Sequence, residues 1–186
     1  YTAEKAIAVD GGDAHAIAAF AAERHLEIVC VTNTHTHPDH TMGNSLLVEK
    51  TGAPIADCRE LAQGQMLELE KGAGLETILT PGHTMDSVCF RGTNFIVTGD
   101  TLFNATVGNC FSGDLNAFFN SLTMLMALAG DTLVYPGHDY VLDSLKYAKI
   151  IEPDNPHVDQ YLEKYNPDHI VSTLEDELNA NPYVRF

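Results

Sequence analysis

The sequence predicts a mixed α/β protein, and two patterns carry that expectation. Short apolar, β-branched runs of strand length alternate with longer stretches whose apolar residues recur at helical spacing. Several of the strand-like runs also end in small turn residues, followed at once by a side chain able to bind a metal. Strands that deliver such residues at their ends to one sheet edge build a site, because loops there carry chemistry on a rigid scaffold. At 186 residues the chain suits one domain with a small appendage. It can bury about 70% of the surface its unfolded form exposes, so a core needs no disulfide staples.

In chain order, Lys5 to Val9 reads as a strand ending at Asp10-Gly11-Gly12. Ala14 to Arg24 is alanine-rich with helical spacing, and Asp13 is placed to cap it. Ile28 to Thr32 is a buried strand that runs straight into His35-Thr36-His37-Pro38-Asp39-His40. Gly43 to Thr51 follows as a helix, then short strands at Pro54 to Ala56 and Met66 to Glu70. Leu75 to Leu79 is a strand leading into Pro81-Gly82-His83. Ser87 to Phe90 and Asn94 to Val97 read as a hairpin, with the second strand ending at Thr98-Gly99-Asp100-Thr101. Leu115 to Leu128 is an amphipathic helix, and Thr132 to Tyr135 a strand ending at Pro136-Gly137-His138. Beyond His138 the chain turns helical, at Val141 to Ile151 and His157 to Tyr165. Ser172 and Glu175 then stand at capping-box spacing before a last helix ending near Asn179.

Twenty-six acidic residues against ten basic ones give a formal net charge of −16. That balance excludes nucleic acid and anionic membrane as main partners, since both demand a Lys/Arg surface. The four cysteines, Cys30, Cys58, Cys89 and Cys110, include no CxxC pair and read as small core residues. No apolar run is long enough to span a bilayer, and a reducing, cytoplasmic compartment is expected. The chain begins at Tyr1 rather than Met, so a preceding piece, including a first strand, is expected.

Three histidines and an aspartate within the six residues 35–40 are costly unless a cation sits among them. Burying several unsatisfied polar groups side by side destabilises by several kcal/mol. Neutral imidazoles with carboxylates suit zinc or another borderline metal. His35 and His37, two apart in an extended segment, point the same way, while Pro38 turns Asp39 and His40 elsewhere. His83 and His138 each follow Pro-Gly, and Asp100 follows Thr98-Gly99 with two oxygens able to bridge two ions. His15, His25, His157 and His169 lack such context and read as surface residues.

HxHxDH at 35–40, His83 in Thr80-Pro81-Gly82-His83-Thr84, Gly99-Asp100-Thr101-Leu102-Phe103 and Tyr135-Pro136-Gly137-His138, in that order, resemble the metallo-β-lactamase superfamily. The resemblance implies an αββα sandwich with a metal site along one edge. His35, His37 and His83 would hold one ion, Asp39, His40 and His138 a second, with Asp100 bridging. Asp39 and Asp100 would be the catalytic carboxylates, and the cofactor two divalent ions, zinc before iron or manganese. Tyr135 to Tyr140, Glu152-Pro153-Asp154-Asn155-Pro156 and Asn181-Pro182-Tyr183-Val184-Arg185 further resemble glyoxalase II, the hydroxyacylglutathione hydrolases. That implies a catalytic domain over 1–140 and a helical region over 141–186 that covers the substrate. The implied reaction is hydrolysis of a small-molecule thioester by a water whose pKa the metals lower. Thr84 and Thr101 stand where they could orient ligands or stabilise turns.

Asn109, Phe111, Tyr140 and Arg185 are the expected substrate contacts. Asn109 stands where the resembling enzymes carry a basic residue against glutathione, and Met85-Asp86-Ser87 departs from their usual turn. A cation lost from a carboxylate costs about 1.5–3 kcal/mol, so the departures bear on the substrate rather than on the metal chemistry. The alternatives are a mononuclear iron persulfide dioxygenase of the same superfamily, or a metallohydrolase acting on a thioester other than glutathione's. The composition does not fix an oligomeric state.

Overall fold

The computed structural model describes residues 1–185, and the chain divides into two compact units. The first comprises Tyr1–Leu79 and Asp86–Gly92. It opens with β1 (Lys5–Val9), α1 (Ala14–Glu23), β2 (Glu27–Thr32), a one-turn helix α2 (Pro38–Thr41), α3 (Asn44–Thr51) and β3 (Ile55–Ala56). Asp13 caps α1 as expected, its carboxylate accepting from Ala16 N at 2.9 Å. β1, β2 and β3 form a parallel sheet with β2 in the middle. A parallel strand so placed is buried on both faces, and Ile28 and Val31 of β2 join Ala8, Ala14, Ala21, Leu47 and Ala53 in one core cluster. β4 (Met66–Glu70), β5 (Ala73–Leu79) and β6 (Val88–Arg91) follow as an antiparallel set.

The second unit comprises residues 80–85 and 93–185. Its strand β7 (Phe95–Gly99) is followed by two short strands, β8 (Leu102–Phe103) and β9 (Thr106–Val107), which pair antiparallel as a small hairpin. Then come α4 (Leu115–Met126), β10 (Leu133–Pro136), α5 (Val141–Ile151), α6 (Pro156–Lys164), β11 (Ser172–Thr173) and α7 (Leu174–Ala180). β10 lies parallel to β7 and antiparallel to β11. The helices of the tail pack through Val141, Leu145, Ala148, Val158, Tyr161 and Ala180 onto Ala105 at the tip of the β8–β9 hairpin.

Two expectations shift. The capping box moves by one residue: Thr173 caps α7, accepting from Asp176 N at 3.1 Å, while Asp176 accepts from Thr173 N. Ser172 is drawn into β11 opposite Val134, and its buried hydroxyl accepts from Asn104 Nδ2 at 2.6 Å. α6 begins at Pro156, one residue early, because Asn155 caps it and proline suits the first helical turn. All four cysteines are free thiols, and burial pushes that of Cys58 up to about 12, which fits an inert packing residue at that position. Among the described residues no helix is long and apolar enough to cross a membrane.

Candidate metal centre

In the first unit, His35 stands three residues beyond the end of β2 and is buried, while His37 ends the extended segment as the cap of α2. His35 Nε2 and His37 Nδ1 converge at 2.9 Å, as the two-residue spacing predicts. Pro38 starts α2, which turns Asp39 outward and buries His40. His40 Nε2 faces the Asp39 carboxylate at 3.8 Å.

Sequence reasoning missed Asp10 as a functional residue. It directly follows β1 in the left-handed region, at φ 58°, a conformation aspartate tolerates better than most side chains. One carboxylate oxygen accepts from Thr34 N at 2.7 Å. The other accepts from the Thr34 hydroxyl at 2.9 Å and faces His40 Nδ1 at 3.0 Å. A carboxylate only accepts, so Nδ1 of His40 carries the proton and Nε2 presents its lone pair. The Thr34 hydroxyl, its proton committed to Asp10, accepts in turn from His35 Nδ1 at 3.1 Å, which fixes His35 in the same tautomer. Gly12 beside it is required by space: a Cβ there would lie 2.2 Å from the Asp39 carbonyl. The unusual Asp86 accepts from the Thr36 hydroxyl at 2.6 Å, and so braces the loop between the two histidines.

In the second unit, His83, Asp100 and His138 come from three separate turns. The Pro81-Gly82-His83 turn is pinned by Ser121 Oγ donating to Pro81 O at 2.8 Å and Ser112 Oγ donating to Gly82 O at 2.6 Å. His83 Nδ1 donates to the Asn109 carbonyl at 2.9 Å. A carbonyl only accepts, so Nε2 is again the lone-pair nitrogen. Gly108, next to Asn109, has no room for a Cβ, which would lie 1.8 Å from the Asp100 carbonyl. The Asp100 carboxylate is buried between two imidazoles, with Oδ2 3.6 Å from His83 Nε2 and Oδ1 3.6 Å from His138 Nε2. Those separations exceed a hydrogen bond but suit pairs of atoms that each reach an ion at about 2.1 Å. The Thr101 hydroxyl meets that of Thr80 at 3.2 Å, which favours its turn-stabilising role.

These donors fit a divalent cation: His35, His40 and His83 are buried imidazoles with Nδ1–H committed elsewhere, and Asp39 and Asp100 add carboxylate oxygens. Of the expected substrate contacts, Phe111 is exposed with its ring 5.2 Å from that of His83. Tyr140 is exposed at the start of α5, edge-on to Phe103 at 5.0 Å and 5.7 Å from the His138 ring. The Asn109 side chain is exposed while its backbone serves His83. Arg185 forms an ion pair with Glu152. His15, His25, His157 and His169 are all exposed.

The family described as Metallo-beta-lactamase superfamily matches residues 2–66 and 59–138, and that described as Hydroxyacylglutathione hydrolase C-terminus matches 139–186. The chain is 36% identical over 203 residues to a hydroxyacylglutathione hydrolase of Polaromonas sp. (strain JS666), covering 98% of this chain and 77% of that protein. A hydroxyacylglutathione hydrolase of Nitrosomonas europaea is 34% identical, over 97% of this chain and 75% of its own length. Among solved structures, ETHE1 from Myxococcus xanthus superposes with a TM-score of 0.74 at 25% identity, covering 97% of this chain and 74% of that one.

Proposed function

Since the chain belongs to the hydroxyacylglutathione hydrolase family of the metallo-β-lactamase superfamily, we propose that it hydrolyses a hydroxyacyl thioester of the glutathione type, releasing a hydroxy acid and a free thiol. His35, His37 and His83 hold one divalent ion in this reading, Asp39, His40 and His138 a second, and Asp100 belongs to both. Zinc is the first choice of metal, with iron and manganese suited to the same donors. The observation that carries the reading is the set of committed Nδ1 protons. His35, His40 and His83 each spend Nδ1–H on a neighbour, which leaves Nε2 as a ligand atom.

Bound there, a divalent metal supplies a water acidic enough to act as a nucleophile near pH 7, and a Lewis acid for the thioester carbonyl. The chain's own residues do the rest. Asp10 and the Asn109 carbonyl hold the Nδ1–H of His40 and His83 and so aim the rings. Asp100 presents one oxygen to each of two histidines. The rings of Phe111 and Tyr140, both exposed beside ligand histidines, offer apolar faces to the acyl or thiol part. The leaving thiolate has an ordinary pKa near 8.5, so its departure requires no dedicated acid from the protein. The match of 139–186 to the hydroxyacylglutathione hydrolase C-terminus favours this reading over an iron persulfide dioxygenase.

A panel of thioesters, assayed on protein loaded with a single metal type, tests the reading. It expects turnover of a hydroxyacyl-glutathione, lost on chelation and restored by zinc. Oxygen uptake with a persulfide and no thioester cleavage would replace it with the dioxygenase.

A further inference from the structure

The β8–β9 hairpin has both of its ends in residues read as metal machinery. Asp100 stands two residues before β8. Asn109, whose carbonyl accepts from His83 Nδ1, stands two residues after β9. Its tip, Asn104-Ala105, is 1% exposed at both residues. Ala105 adopts φ 66°, a left-handed conformation that a residue with a Cβ holds only when its surroundings impose it.

The C-terminal tail imposes it. Glu177 of α7 is fully buried, and its Oε2 accepts from Ala105 N at 2.9 Å. The same oxygen accepts from Asn181 Nδ2 at 2.8 Å, and Oε1 accepts from the Tyr161 hydroxyl at 2.7 Å. Asn181 also donates to Thr106 O at 3.0 Å, and Ser172 accepts from Asn104. Three consecutive hairpin residues are therefore bonded by the tail. A buried carboxylate is an expensive way to fill space that a leucine or methionine would fill. Here its oxygens answer the one backbone N–H that an alanine in the left-handed region turns toward the tail.

We infer that Glu177 is a positioning residue for the hydrolytic site: by holding the Ala105 turn it sets the two ends of the hairpin, and through them Asp100 and His83. The inference rests on the reading of Asp100 and His83 as metal ligands. It gives the C-terminal segment a part in arranging the metal donors, besides any contact with substrate.

The test uses the full chain, loaded with zinc for kinetics and with cobalt for its visible spectrum. Glu177→Met keeps the volume and removes the acceptor. It is expected to lower kcat and metal affinity by about tenfold, the lower edge for groups that act through a ligand, with KM nearly unchanged and the cobalt bands shifted. Glu177→Gln is expected to restore most of both, because one amide oxygen can still accept from Ala105 N while the amide N–H turns to the Tyr161 oxygen. Tyr161→Phe loses a buried hydrogen bond and thus stability, but leaves the Ala105 contact, so its kcat and cobalt spectrum should match wild type. Should Glu177→Met not fold, Asn181→Ala, which frees Thr106 O, is expected to give the same tenfold losses. Wild-type kcat, metal affinity and cobalt bands in the folded variant would overturn the inference while leaving the hydrolase reading standing. A wild-type chain that binds no divalent metal would overturn both.

Discussion

The two sets of candidate donors are built by opposite means. The first is local: His35, His37, Asp39 and His40 occupy one strand end and one helical turn. Its orienting group is a side chain, Asp10, which serves His40 directly and His35 through Thr34. The second is assembled from three turns distant in sequence, and its orienting group for His83 is a backbone carbonyl, that of Asn109. A side chain that orients can be deleted by one substitution. A carbonyl that orients can only be moved, so the second set depends on the backbone that carries it, from Gly108 through the hairpin to the tail.

The largest expected effect is thermodynamic and belongs to the second set. Burial pushes the Glu177 carboxyl up from its ordinary 4.5 to about 7, against the hydrogen bonds from Tyr161, Asn181 and Ala105 that favour the ionised form. A group whose pKa is raised by folding contributes stability below its unfolded pKa and loses it as pH rises through the folded one. Between pH 5 and pH 8 the wild type should therefore lose roughly 2–3 kcal/mol of unfolding free energy relative to Glu177→Gln. Paired denaturation curves at the two pH values check it, and parallel curves would mean that the carboxyl is not taken up protonated. Gly108→Ala comes next. With the Asp100 carbonyl 1.8 Å from the added Cβ, the backbone must shift, and about a hundredfold loss in kcat is expected, measured by thioester assay at saturating metal.

Asp10→Asn probes the first set. Ten- to a hundredfold in metal affinity is expected to go, as for other groups that orient a ligand imidazole. Chelator competition reads it, and an unchanged affinity would make Asp10 a fold residue only. The smallest effect separates the two roles of Asn109. Asn109→Lys leaves its carbonyl on His83 but adds a cation, so KM for a glutathione thioester should fall roughly tenfold with kcat unchanged. A fall in kcat instead would mean that the side chain, too, supports the histidine.

The contrast also explains what could be read from the sequence. The crowded 35–40 run is legible because its donors are neighbours, and His83, Asp100 and His138 because each follows a small turn residue at a strand end. The long strands and helices follow from their periodicity, whereas β8, β9 and β11, at two residues each, have too little length to show one. Asp10 obeyed the same strand-end pattern before Gly11-Gly12, but a lone carboxylate carries no sign of the histidine it will orient. Glu177 was hidden more deeply. In Glu175-Asp176-Glu177 nothing local tells which acid turns inward; that is decided by the donors on Ala105, Asn181 and Tyr161. The same tertiary pairing pulls Ser172 into β11 and moves the helix cap to Thr173.

The most direct test of the central claim is zinc titration of metal-free protein, followed by elemental analysis and thioester hydrolysis on the same samples. The account predicts two ions per chain, with hydrolysis of hydroxyacyl-glutathione rising as they bind. A single ion at saturation, or two ions without any thioester cleavage, would contradict it.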